Sequence, residues 1–97
     1  MSKITIEFVG KFFDNHSLSL VNRNLAISLS KIDSIDLCLV PTDKFSFKGN
    51  LNLEEVRIIR ELSNKTISDP DIQLRHSYPP ILRHPKSDKT KIVYIQP

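Results

Sequence analysis

Glycine and cysteine are scarce in this chain and tryptophan is absent, since its 97 residues include two glycines, one cysteine and no tryptophan. Gly10 and Gly49 stand far apart, so neither a dinucleotide-binding G-x-G-x-x-G nor a Walker loop is present. A single Cys38 excludes an intrachain disulfide framework and favours a reducing compartment. No window approaches the ~18 uncharged apolar residues that a spanning helix requires. A soluble, cytoplasmic protein is therefore expected.

Strong charge of one sign is also lacking. Fourteen basic residues face eleven acidic ones, which gives a formal net charge of +3. The basic residues are scattered and no aromatic residues are interleaved with the densest group, so no nucleic-acid partner is expected. The histidines are too far apart for a local metal motif, and no serine stands in a G-x-S-x-G elbow. We therefore expect neither a bound metal nor a cofactor.

The composition is that of a folded domain, with 39% hydrophobic and 26% charged residues. Alternating or continuous apolar patterns predict four strands, at Lys3–Val9, Ile35–Val40, Ile72–His76 and Lys91–Gln96. Helical spacing predicts two helices, at Leu18–Lys31 and Leu53–Asn64. Ser17 is the expected cap of the first helix, and Asn52 with Glu55 resembles a capping box for the second.

The apolar stripe of each helix follows from the same spacing. Five residues are expected to face the core from the first helix: Leu18, Val21, Leu25, Leu29 and Ile32. The second helix offers Leu53, Val56, Ile59 and Leu62. The order of elements implies an α/β fold, a partial Rossmann-like parallel sheet of about four strands. Helices are expected on both faces, and with only two of them part of one face would lie bare.

Ligands of open parallel sheets bind beyond the carboxyl ends of the strands. That rule selects the segment from Gly10 to Ser17 and the segment from Arg75 to Pro80. His16, beside the start of the first helix, is a candidate proton carrier or hydroxyl ligand, and its alternative role is a backbone hydrogen bond. Asn22 and Arg23 follow one turn later, and Arg23 faces either an anionic ligand or solvent. Arg75 and His76 form a second candidate pair, or an ordinary strand end.

A family resemblance is carried by these segments in their shared order. Its pieces are the strand ending in Gly10, the stretch HSLSLVNR (16–23), the Asp69-Pro70 turn, RH-YPP (75–80) and the closing IVYIQP (92–97). They resemble the N-terminal domain of glycosyltransferases of the two-Rossmann-domain, GT-B architecture, and of the bacterial group-1 type in particular. The resemblance implies an N-terminal, acceptor-side domain over residues 1–97 and implies that this domain is incomplete.

The same resemblance implies roles for individual residues. Gly10 and the loop to Ser17 would line the cleft, with His16 as the catalytic residue and Ser17 near the donor phosphates or the acceptor hydroxyl. Arg75, His76 and Tyr78 would form the opposite wall. The implied ligands are a nucleotide sugar and a sugar acceptor. The donor-binding half is absent from the chain, so transfer by this chain alone is not expected.

A second hypothesis of another class stays open. The chain could be a stand-alone Rossmann-like module for protein interaction or small-ligand binding. In that case the strand Ile92–Ile95 would pair with a second copy or with a partner chain through the exposed sheet.

Overall fold

The computed structural model describes residues 3–13, 17–44, 53–77, 81–85 and 87–95. The elements are β1 (Ile4–Gly10), α1 (Ser17–Ser30), β2 (Ile35–Pro41), α2 (Leu53–Ser63), β3 (Ile72–His76) and β4 (Lys91–Tyr94). Their order is the one that the sequence predicts. Bounds of the first five differ from the prediction by no more than one residue at either end.

The four strands form one parallel sheet in the order β2-β1-β3-β4. Strand β1 lies in the interior of the sheet, where Phe8 is paired with Leu39 on one side and Leu74 on the other. The prediction of an α/β, partial Rossmann-like parallel sheet with two main helices is confirmed. Because all strands run the same way, the ends of β1, β2 and β3 meet at one edge, called here the carboxyl edge.

One face of the sheet carries the hydrophobic core. Alternate residues of the first two strands enter it, namely Ile6 and Phe8 from β1 and Leu37 and Leu39 from β2. Ala26 of α1 and Ile59 of α2 join the same cluster. Both helices therefore pack on this face, which differs from the expected arrangement with helices on either side.

The opposite face, called here the second face, is covered by non-helical chain. Residues from the segments 66–70, 81–85 and 87–90 lie against it and border cavities with Glu7 and Gln73. Thr90 Oγ1 donates to the Pro70 carbonyl at 2.7 Å, and Lys91 N donates to the Asp71 carbonyl at 3.0 Å. The side chains of Glu7 and Gln73 point here because strand residues alternate between faces. Loops thus cover part of the face that was expected to be partly bare, while Val40 and Tyr94 on it remain exposed.

Helix α1 buries only part of the predicted stripe, in which Leu25 and Leu29 pack against the core. Val21 is 51% exposed, Leu20 and Ile32 are also exposed, and the fully buried positions are Ser19, Asn22, Arg23 and Ala26. The spacing of these four is still helical, but three of them are polar. The first half of the helix lies against backbone carbonyls at the carboxyl edge, and those acceptors need donors rather than apolar side chains.

Helix α2 agrees better with its predicted stripe. Ile59 is fully buried and Leu62 packs against the core, although Leu53 at the start of the helix is exposed. Glu54 and Glu55 stand in the first turn and Arg60 in the last, as the helix dipole favours. The predicted cap Asn52 lies outside the described residues. Neither helix has the length and apolar character that crossing a membrane requires, as far as the chain is described.

Candidate functional site

Loop 11–13, directly after β1, is fixed by side chains from two other elements. Asp43, which follows β2, accepts hydrogen bonds from the backbone N–H of Phe12 at 3.1 Å and of Phe13 at 2.9 Å. Arg23 of α1 donates from Nη1 to the Phe12 carbonyl at 2.7 Å. Phe12 itself stacks edge-on against Phe8, with ring centroids 5.1 Å apart. Side chains therefore fix this loop by hydrogen bonds to its backbone N–H groups and to a backbone carbonyl.

Asn22 joins that loop to the end of β3. Its Nδ2 donates to the Lys11 carbonyl at 3.0 Å and to the His76 carbonyl at 3.1 Å, and its Oδ1 lies 2.6 Å from His76 Nδ1. The side chain is fully buried. One amide thus makes three hydrogen bonds to chain segments that are 11 and 54 residues away. The carboxyl ends of β1 and β3 are tied together by α1.

The Asn22 contacts also decide which nitrogen of His76 carries hydrogen. Two carbonyls accept from the Asn22 amide nitrogen, so the oxygen must face the imidazole. An amide oxygen only accepts, and Nδ1 must therefore be the donor. Burial lowers the pKa of His76 below the ordinary value of 6.5, which favours the neutral ring. In the neutral ring Nε2 then holds a lone pair.

That Nε2 is a buried acceptor without a partner among the described residues. His76 as a whole is only 4% exposed. An unsatisfied buried polar group costs about 1–3 kcal/mol, and native proteins carry few of them. Such groups are concentrated at sites that bind or act on something.

Gly10 is required at the carboxyl edge by lack of space. A Cβ on Gly10 would lie 2.6 Å from the His76 carbonyl oxygen and 2.8 Å from Asn22 Nδ2. Both distances are shorter than real Cβ contacts allow. The ends of β1 and β3 can approach Asn22 this closely only because residue 10 has no side chain.

The structure brings together part of the predicted set. Gly10, Asn22, Arg23 and His76 form one buried cluster at the carboxyl edge, called here the edge cluster. Arg75 does not join it. The residues predicted on neighbouring positions are not described in full: His16 and Tyr78 lie outside the described residues, as does the side chain of Ser17, which begins α1.

Arg75 belongs to the second face instead, because adjacent strand residues point to opposite faces. Its Nε donates to Gln73 Oε1 at 2.6 Å, and Gln73 Nε2 donates in turn to Glu7 Oε1 at 2.5 Å. Its Nη1 donates to the Ile81 carbonyl at 2.8 Å and to the Tyr94 hydroxyl at 3.0 Å. The guanidinium also lies 5.6 Å from the centre of the Tyr94 ring. Glu7, Gln73, Arg75 and Ile81 border a cavity of about 180 Å³ beneath segment 81–85.

Three residues of these clusters were not singled out from the sequence: Asp43, Glu7 and Gln73. Asp43 could have been found, since it follows a buried strand at the carboxyl edge and a short polar residue there can accept loop N–H groups. Glu7 and Gln73 gave only the polar half of an alternating pattern, which ordinary solvent-facing positions also give.

No group of three or more histidine, cysteine, aspartate or glutamate side chains that could hold a metal occurs within the described ranges. No protein-family model matches the chain, and neither a curated protein nor a solved structure matches it. What the chain does must therefore be argued from the edge cluster and the cavity.

Proposed function

We propose that this chain is the N-terminal, acceptor-side part of a glycosyltransferase that moves a sugar from a nucleotide-sugar donor to an acceptor. The proposal starts from the fold, since parallel sheets bind ligands beyond the carboxyl ends of their strands. The polar edge cluster lies at that edge, in the segments that carry the sequence resemblance. A second Rossmann-like domain would hold the donor, so this chain alone would not catalyse transfer.

The observation that carries the proposal is the lone pair on His76 Nε2. Asn22 orients the imidazole ring of His76, and burial favours the neutral form of that ring. Nε2 is then a hydrogen-bond acceptor to which no described residue donates. A sugar hydroxyl is a donor of the required kind, and a neutral imidazole can also take its proton during transfer. Nε2 is closed to solvent, so binding of a hydroxyl requires a local movement that opens a path to it.

The other members of the edge cluster hold this geometry. Gly10 lets the strands approach, Asn22 sets the ring, and Arg23 fixes the Phe12 carbonyl. Their role is positioning. His16, Ser17 and Tyr78 keep the roles that the resemblance gives them, with His16 as the catalytic residue and the other two contacting substrate.

Binding can be tested by ¹⁵N NMR with the whole chain. Titration with a panel of nucleotide sugars and methyl glycosides should shift the amides of Gly10, Lys11, Phe12 and Ser77. His76→Gln should abolish these shifts, because a glutamine cannot present the same lone pair at that point. His84→Gln is the matched control, since His84 is exposed and borders the second-face cavity. Sugar binding at the edge cluster would be contradicted if no sugar shifted these amide signals. It would also be contradicted if His76→Gln and His84→Gln reduced the shifts equally.

The transferase part of the proposal has a separate test. The reading frame that encodes this chain, or a neighbouring frame, should encode a second Rossmann-like domain with a pair of carboxylates. If neither frame does, the transferase proposal fails even where a sugar binds. A cytoplasmic location belongs to the same proposal and is supported by Cys38, which is buried and unpaired.

One observation favours the second candidate, an interaction module. In the part of the chain that the structure describes, β4 pairs with β3 alone, and its Val93 and Tyr94 are exposed. An unpaired edge with apolar side chains is a template for another strand. Association through it would give a concentration-dependent dimer in sedimentation velocity, and Val93→Lys should return the monomer. A species that stays monomeric at high concentration would rule this candidate out.

A further inference from the structure

Within the described ranges, Arg75 is a buried cation without a carboxylate partner. It is 3% exposed, and the ion pairs found among the described residues involve other basic residues. All the acceptors it contacts are neutral: an amide oxygen, a carbonyl and a hydroxyl. Buried charges are normally paired, because removal from water is costly. No described residue therefore supplies a counter-charge to Arg75.

The missing charge has a defined place to bind. The hydrogen bonds of the guanidinium use Nε and Nη1, which leaves Nη2 without an acceptor in the described part of the chain. Arg75 borders the cavity of about 180 Å³, so Nη2 is the group that a ligand there can reach. At about 30 Å³ for each water molecule, the cavity has room for a small ion with some of its hydration.

The charges around the cavity select the kind of ligand. Arg75 and Arg83 supply two positive charges, and Glu7 supplies one negative charge. Glu7 does not neutralise Arg75 directly, because Gln73 lies between them and hydrogen-bonds to both. The balance is positive, and a guanidinium is suited to carboxylate and phosphate oxygens.

We propose that this cavity on the second face binds a small oxyanion, a carboxylate or a phosphate, through Nη2 of Arg75. Gln73 holds the guanidinium in position and keeps Glu7 away from it. The site lies on the face of the sheet opposite to the core, and it is independent of the proposed transferase function. Its occupation would supply the counter-charge that the described residues do not.

The test is a ¹⁵N NMR titration of the whole chain with inorganic phosphate and, separately, with acetate. Sodium chloride keeps the ionic strength constant. Either anion should give saturable shifts at Gln73, at Ile81 and at the Nε–H of Arg75. Saturation by phosphate alone identifies a tetrahedral oxyanion, and saturation by acetate alone or by both identifies carboxylate chemistry. Shifts that follow ionic strength, or none from either anion, would overturn the proposal.

Two variants should change the anion affinity in opposite directions. Glu7→Gln removes a negative charge from the cavity yet can still accept from Gln73, so anion affinity should rise at least about threefold. Arg75→Gln should abolish the saturable shifts. Arg57→Gln is the matched control, because Arg57 is exposed on α2 and should leave affinity unchanged. If Arg75→Gln does not fold, Glu7→Gln still decides: unchanged or weaker anion binding would overturn the proposal.

Discussion

Adding one methyl group at residue 10 should strongly destabilise the protein. In Gly10→Ala the new Cβ would lie 2.6 Å from the His76 carbonyl oxygen and 2.8 Å from Asn22 Nδ2. Neither atom can retreat easily. The carbonyl belongs to β3, which is paired with β1 at this residue, and the amide is fully buried in its own hydrogen bonds.

The magnitude follows from two costs. Overpacking by one methyl group in a tight interior typically costs about 1–3 kcal/mol. Displacing Asn22 weakens its bond to the His76 carbonyl, which adds about 1 kcal/mol. The free energy of unfolding should fall by about 2–4 kcal/mol. For a domain of this size that corresponds to a melting temperature lower by about 10–25 °C.

Urea unfolding followed by circular dichroism measures this directly, with an unchanged slope against urea as the sign that the unfolded state is unaltered. A double-mutant cycle with Asn22→Ala then measures how much of this destabilisation comes from the contact with Asn22. Removing the amide relieves one of the two clashes, so the cost of Gly10→Ala should shrink in that background without vanishing. A Gly10→Ala protein within about 0.5 kcal/mol of the wild type would refute the proposed packing at the carboxyl edge.

Three further outcomes are expected. Burial, with a smaller contribution from Glu7, raises the pKa of Cys38 to about 11, so a thiol reagent at pH 8 should label folded protein at least about 100-fold more slowly than urea-unfolded protein; equal rates would contradict its burial. Burial lowers the pKa of His76, so as the pH falls the unfolded state takes up a proton on this histidine before the folded state does. The free energy of unfolding should therefore keep its full His76 contribution above pH 6.5 and decline below that pH. The decline should be steeper in the wild type than in His76→Gln. Asp43→Asn keeps only one acceptor oxygen, so amide hydrogen exchange at Phe12 or Phe13 should accelerate, and the free energy of unfolding should fall by about 1–2 kcal/mol. Unchanged protection of both amides would argue against their hydrogen bonds to Asp43.

Patterns of period two and 3.6 are sufficient to place the strands and helices of this chain. The order of elements implied a parallel sheet, and the sheet is parallel. The faces on which helices pack were not predictable in the same way. Ala26 and Ile59 meet in one core because of how the connections between strands run, and local spacing carries no information about that path.

The predicted apolar stripe of α1 is confirmed at Leu25 and Leu29 but wrong at Val21, for a physical reason. Hydrophobic spacing assumes that the buried side of a helix meets other side chains. Here the first half of α1 meets the backbone of loop 11–13 and of β3, so Asn22 and Arg23 are buried while Val21 is exposed. Polar residues at helical spacing were the usable signal, and they coincide with the site that the strand-end rule selected.

Arg75 and His76 show where that rule needs strand geometry beside it. They are adjacent in sequence and were predicted to act as a pair, but alternation in β3 sends one to the second face and the other to the edge cluster. Substitutions at the two positions should therefore separate two binding events. His76→Gln should remove sugar-dependent shifts and leave anion-dependent shifts at Gln73 intact, whereas Arg75→Lys should weaken only the anion. If either substitution removed both sets of shifts in a folded protein, the two clusters would be one site, and the independence of the two proposals would fail.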